Sequence, residues 1–193
     1  MRRIAIPYRM VTMGLLLLTL SGCVGSTHYF MLTGPTVTER HYMKRLPVIG
    51  VEKISLPEYM KRGEVAIQLS PTQIHYSASD EWVEDMEDSL TQQLITAIQK
   101  SFNHPNVYAY PWGLSRQAGI KIKISVNKFI SYGDFVYLDA TWKINDLQRG
   151  KRYSRLFSVK VPSGRDTASV VAGMNKAFGK LTQGITSDLN HRF

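Results

Sequence analysis

The chain has 193 residues, 44% hydrophobic, with 24 Lys and Arg against 15 Asp and Glu for a formal charge of +9. That length suits one domain with a sizeable core, and a single cysteine excludes an internal disulfide framework. The sequence has no nucleophile elbow and no glycine-rich phosphate loop, so hydrolase and nucleotide-binding chemistry have no residues to carry them.

Arg2, Arg3 and Arg9 come first, and no acid appears before Glu39. An apolar run follows from Val11 to Leu20. A basic head, a short apolar core and then small residues are the layout of a secretory signal peptide. The run is about 10 residues, where a membrane-spanning helix requires roughly 20. Leu20-Ser21-Gly22-Cys23 closes it and reads as a bacterial lipobox. Small residues before a cysteine let the chain lie extended in a peptidase groove. The Cys23 thiol then accepts a diacylglycerol, and the freed amine accepts a further acyl chain such as palmitate. Burial of acyl chains contributes ~0.8 kcal/mol per methylene, and more than one chain anchors stably. Val24 stands where an aspartate favours inner-membrane retention, so the expected address is the outer membrane, facing the periplasm.

On this reading residues 1–22 are the signal peptide, 23–46 the lipidated N-terminus and tether, and 47–193 the folded domain. Loss of three signal-peptide arginines takes the charge from +9 to 9 − 3 = +6.

Within the tether, Tyr29-Phe30-Met31-Leu32 is apolar enough for a first strand or a docking segment, broken by Gly34-Pro35. Val48 to Ile54 predicts a strand stopped by Pro57. Glu64 to Leu69 alternates and predicts a second strand; Gln73 to Tyr76 predicts a short third one across the Ser70-Pro71 turn. A helix follows, with Ser77, Ser79 and Asp80 as N-cap candidates. Its apolar stripe is Val83, Met86, Leu90, Leu94, Ala97 and Ile98, and Asn103-His104-Pro105 ends it. Val107 to Tyr110 predicts a strand. Ile120 to Val126 and Val136 to Ile144 alternate, giving strands with one buried and one wet face; Phe157 to Val161 closes a further strand. Gly133 and Gly150 mark hairpin turns. The last segment steps by three and four from Val170 to Leu189 and predicts a helix, with Gly173, Gly179 and Gly184 either permitting close packing or softening it. Strands joined by hairpins require helices on one face. The predicted fold is a single α+β domain: an antiparallel or mixed sheet with two helices packed on one side.

His28, His41, His75, His104 and His191 are scattered, and none has metal-ligand spacing. Residues 80–88 hold six acids and no base, without the glycine-centred loop of an EF-hand. They read as partners of a helix dipole on a solvated face. No metal, no cofactor and no catalytic residue is expected; Cys23 carries lipid only. With −6 in that run, the rest of the mature chain carries +12. Such a surface suits anionic lipid or an acidic partner, and a periplasmic address removes nucleic acid from the choice. Two stretches stand out as candidate partner contacts: Leu56, Pro57, Tyr59, Met60, Lys61 and Arg62 after the first strand of the domain, and Tyr110 and Trp112 beside Pro111.

A lipobox, then Tyr29-Phe30-Met31-Leu32, then Ile49-Gly50-Val51 to Leu56-Pro57-Glu58-Tyr59-Met60-Lys61-Arg62 resembles the ABC-type transport auxiliary lipoproteins, most of all their paraquat-inducible, PqiC/YmbA-like branch. Trp82, Tyr110-Pro111-Trp112 and Leu138-Asp139-Ala140-Thr141-Trp142 extend the likeness over nearly the whole mature chain. Gly63 stands where a proline is common, and Val83-Glu84-Asp85-Met86 departs from the usual helix start. The resemblance implies a non-enzymatic subunit of an MCE-type intermembrane lipid transport system that maintains membrane integrity. It implies a PqiB-like MCE protein and a PqiA-like inner-membrane subunit as partners, and is compatible with a ring of copies around a tubular conduit. Competing expectations keep the anchor but change the client: an accessory lipoprotein for lipopolysaccharide or outer-membrane protein assembly, or a periplasmic lipid carrier.

Overall fold

The computed structural model describes residues 26–34, 41–113 and 117–193. Cys23 and the lipobox lie outside the described residues. Eight strands form one mixed, unclosed sheet: β1 (His28–Phe30), β2 (Ile49–Glu52), β3 (Glu64–Ser70), β4 (Gln73–Trp82), β5 (Val107–Tyr110), β6 (Ile120–Tyr132), β7 (Phe135–Asp146) and β8 (Lys151–Pro162). Among the described residues two helices pack on it, α1 (Met86–Phe102) and α2 (Thr167–Arg192).

β6 organises the sheet. Antiparallel β7 runs along one side of it for its whole length, and β8 pairs beyond β7. The other side of β6 is shared. Its first residues pair in parallel with β2, with β5 outside that, and its last residues pair in parallel with β3, followed by β4 and β1. The alternation read in β6 and β7 is the cause of the layering. Ile120, Ile122 and Ile124 lie opposite Asp146, Ile144 and Trp142 and are buried on the helix-covered face. The intervening Lys121, Lys123 and Ser125 lie on the other face, which no helix covers among the described residues. A register shift between Val126 and Lys128 lets Phe129 return to the buried side. Gly133 and Gly150 adopt φ of 60° and 67° in the two hairpin turns, a region that an L side chain rarely enters.

α1 packs on β2 and β5, and α2 on β6, β7 and β8. Leu90, Leu94 and Ile98 from α1, and Ala177, Leu181, Ile185 and Leu189 from α2, have no solvent exposure. Trp142 is the largest fully buried side chain. Its indole Nε1 donates to Asp188 Oδ2 at 3.1 Å, and Arg155 and Arg192 balance that carboxylate at 3.3 and 3.4 Å. Gly184 makes this possible: a Cβ there would stand 3.0 Å from Trp142 Cη2. A Cβ at Gly173 would meet Ser163 Cβ at 2.9 Å and Val136 Cγ2 at 3.0 Å. At these two positions the helix glycines serve close packing.

The helix start differs from the sequence expectation. Ser77, Ser79 and Asp80 do not cap α1; they lie in β4, which runs through to Trp82. Local capping preference loses to ladders on two sides, with β3 opposite Glu81 and β1 opposite Asp80, Glu81 and Trp82. Asp85 is the N-cap, its Oδ1 accepting from Asp88 N at 2.9 Å. Val83, expected on the apolar stripe, precedes the helix and is 57% exposed. Asn103, with φ of 45°, ends α1 as expected, and Asp166 caps α2 by accepting from Ser169 N. The tether is partly docked: Leu32 O accepts from Gln93 Nε2 at 2.5 Å, Leu46 is buried, and Tyr42 stacks on Phe102 with ring centres 4.9 Å apart.

Candidate docking surface

Two features of the molecule bear on contact with a partner: the segment after β2, and the face of the sheet that the helices leave open.

After Glu52 the chain leaves β6, touches it again where Ser55 pairs with Ser125, and makes a single 3₁₀ turn at Glu58–Met60. The acidic run holds this segment in place. Thr91 Oγ1 accepts from Ile54 N at 2.9 Å and Glu87 Oε1 from Leu56 N at 3.2 Å. Lys53 Nζ lies 2.8 Å from Asp88 Oδ1 and 3.4 Å from Asp85 Oδ1. The bond to Asp88 raises the Lys53 ammonium above its ordinary range, and the Asp88 backbone N–H holds the Asp85 carboxyl below its own. Among the described residues no group of acids and histidines is arranged to hold a metal ion.

The candidate contacts in this segment divide by burial. Leu56 and Met60 are 4% exposed and belong to the core. Tyr59 fills a structural gap. Between the β2 and β3 ladders, β6 has an edge amide with no strand beside it, and Tyr59 Oη accepts from Phe129 N at 2.8 Å. Burial pushes that phenol up, so it stays protonated. Pro57 is half-buried. Lys61 and Arg62 are exposed, with Lys61 Nζ 2.6 Å from Glu58 Oε1 and the Arg62 guanidinium 4.6 Å above the Tyr76 ring.

Tyr110 and Trp112 belong to the open face. Tyr110 meets Trp112 edge-on at 5.3 Å, and Tyr108 meets it at 5.9 Å. Gly50 accommodates the indole, since a Cβ there would be 3.0 Å from two of its carbons. Lys121 Nζ sits 3.9 Å above the Tyr110 ring. The pairing registers extend this group into rows across the sheet: Tyr108, Gly50, Lys121, Asn145 and Arg152 form one. Lys123, Lys143 and Ser154 lie in the next, with Glu52 3.8 Å from Lys123. Lys128 and Lys160 lie farther along, at 4.7 Å from the Tyr137 ring and 3.6 Å from the Phe135 ring. The bases on these rows are Lys121, Lys123, Lys128, Lys143, Arg152 and Lys160; the acids are Glu52 and Asp139. An open, basic and aromatic face binds anionic groups by charge and flat or apolar groups by its rings. The sequence signal for it was the lysine positions within the alternating strands. The register that gathers them into rows is long-range and not readable from one strand.

The opposite side offers little room. The space between helices and sheet is filled by Trp142, Phe178, Ile122, Leu138 and Ile185, all 1% exposed or less.

Over residues 30–186 the sequence matches the family described as ABC-type transport auxiliary lipoprotein component, and the chain belongs to that family. The family is a transport auxiliary component and not a class of enzyme. The fold is similar to the crystal structure of an uncharacterized protein at TM-score 0.69 and 17% identity, covering 85% of this chain and 99% of the other. It is also similar to a Xanthomonas campestris protein of the DUF330 family at TM-score 0.66 and 16% identity, covering 86% of this chain and 94% of that one. No curated protein matches the sequence. Among the described residues no helix is long and apolar enough to cross a membrane.

Proposed function

We propose that this chain is a non-enzymatic docking subunit of an MCE-type, PqiABC-like intermembrane lipid transport system, anchored in the outer membrane through acyl chains on Cys23 and facing the periplasm. The match to the transport auxiliary lipoproteins over residues 30–186 carries this reading. The open face supports it, because a face that no helix covers among the described residues presents six bases and several rings. The tether supports it too. From Cys23 to His28 is 28 − 23 = 5 steps, and at about 3.5 Å each an acylated Cys23 keeps β1 within about 18 Å of the bilayer. The partners on this reading are a PqiB-like MCE protein and, beyond it, a PqiA-like inner-membrane subunit. Lys61, Arg62, Pro57, Tyr110 and Trp112 are the contacts on this reading.

The test is co-purification of the lipoprotein with the MCE protein encoded beside it. Recovery of the complex is expected; its failure with both proteins folded contradicts the docking role. The anchor is read separately. Cys23→Ala should leave a folded domain that no longer fractionates with the outer membrane, and normal fractionation would overturn the anchoring.

A further inference from the structure

Three described strands have a single neighbour: β1 with 3 residues, β5 with 4 and β8 with 12. A free edge presents a row of unpaired N–H and C=O groups, and proteins usually shorten, bend or cover such edges. β8 is not shortened. Its pairing with β7 runs from Lys151 to Pro162 without a register shift, and its one proline is the last residue. Leu156, at its middle, is 82% exposed.

We propose that the free edge of β8 takes up an extended acidic segment of a partner protein as a further strand of the sheet. The strand reads KRYSRLFSVKVP, with Lys151, Arg152, Arg155 and Lys160 and no acid. Arg155 is committed to Asp188 at 3.3 Å. Arg152, Leu156 and Lys160 remain on the open face, four residues apart, which is about 13 Å in a strand. A strand laid beside β8 places its own side chains opposite these three. The complementary segment therefore has an acid, an apolar residue and an acid at the same spacing. That pattern reads the same in both directions, so parallel and antiparallel entry are both accommodated.

The charges disfavour a second copy as occupant. A two-fold antiparallel pairing centred on Leu156 would set Arg152 opposite Lys160 of the partner subunit twice, and like charges directly opposite are destabilising. The position of the edge disfavours a lipid surface. β8 lies five strand steps from β1 along the order β1, β4, β3, β6, β7, β8, or about 24 Å at about 4.8 Å per step. This last step rests on the anchoring reading: if Cys23 holds β1 at the membrane, β8 stands at the opposite margin of the sheet.

The experiment uses the purified lipoprotein in detergent and a capped, fluorescent threonine peptide with Glu at its first and ninth positions and Val at its fifth. Anisotropy is expected to show binding. Arg152→Glu combined with Lys160→Glu should weaken it by about tenfold or more without changing the melting temperature. Leu156→Thr should weaken it by less. The same peptide N-methylated at every residue should not bind, because neither of its edges can donate to a ladder. Equal binding of the N-methylated peptide would reduce the site to charge attraction and overturn the proposal. Binding of phosphatidylglycerol vesicles through these bases with no peptide binding, or dimerisation lost on Leu156→Thr, would overturn it in favour of a membrane or a second copy. The mass of acyl chains on the same preparation reports the anchor independently of the peptide result.

Discussion

Ile122, Ile144 and Tyr153 form one row across the sheet and face α2; one residue along, Lys123, Lys143 and Ser154 form the next row and face away from it. The same three strands supply both rows. The first is committed to a core with no exposed surface at Ile122 and Ile144. The second lies at the surface, with Lys123 within 3.8 Å of Glu52. The difference teaches that stability and recognition in this chain are separated by a single step of strand period, so substitutions on the two faces should have opposite signatures.

The largest expected effect is on the covered face. Trp142→Ala removes a fully buried indole and a donor to Asp188, and should cost about 3–5 kcal/mol in chemical denaturation. A loss under about 1 kcal/mol would mean that the helices do not pack on this face as described. Next is the segment between the two faces. Tyr59→Phe leaves the Phe129 amide without its acceptor and should cost about 1–2 kcal/mol while keeping the ring in place. An unchanged stability would return Tyr59 to the set of partner contacts. A smaller, pH-dependent effect belongs to Asp80. Hydrogen bonds from Thr167 Oγ1 at 2.6 Å and Ser77 Oγ at 2.8 Å, joined by His28, hold its carboxyl below the ordinary range. A carboxyl lowered in the folded state contributes stability that is present above its unfolded value near about 4 and lost as pH falls through the folded value. Asp80→Asn should therefore be less stable at neutral pH and flatter on the acid side of a stability profile; an unchanged acid limb would remove this junction from the account. The smallest effect on stability is on the open face, where Lys143→Glu should stay within about 0.5 kcal/mol.

How much of this was legible follows the range of each interaction. The alternation of Ile120, Ile122 and Ile124 with lysines is written locally, so β6 and its two faces were readable, as were the stripe of α2 and the turns at Gly133 and Gly150. The end of β4 was not. Ser77, Ser79 and Asp80 carry a local helix-cap signal, and what overrides it is pairing with β3 across the hairpin and with the distant β1, where His28 lies opposite Asp80. The division of the segment from Leu56 to Arg62 was also hidden, because the burial of Leu56 and Met60 depends on α1 and on the gap along β6. The start of β8 was hidden for a related reason. As an edge strand it buries only Val161, so Lys151 to Arg155 carry too little apolar alternation to mark a strand. The membership of the family was legible because its motifs are spread in order along the chain, and they match over residues 30–186.

The central claim is that the open face, and not the helix side, meets the transport partner. Photo-crosslinking residues placed at Lys143 and Ser154 on the open face, and at Lys176 and Lys180 on the exposed side of α2, test it in cells carrying the neighbouring MCE gene. The account predicts crosslinks to the MCE protein from Lys143 and Ser154 and none from Lys176 or Lys180. Crosslinks from α2 with none from the sheet would contradict it.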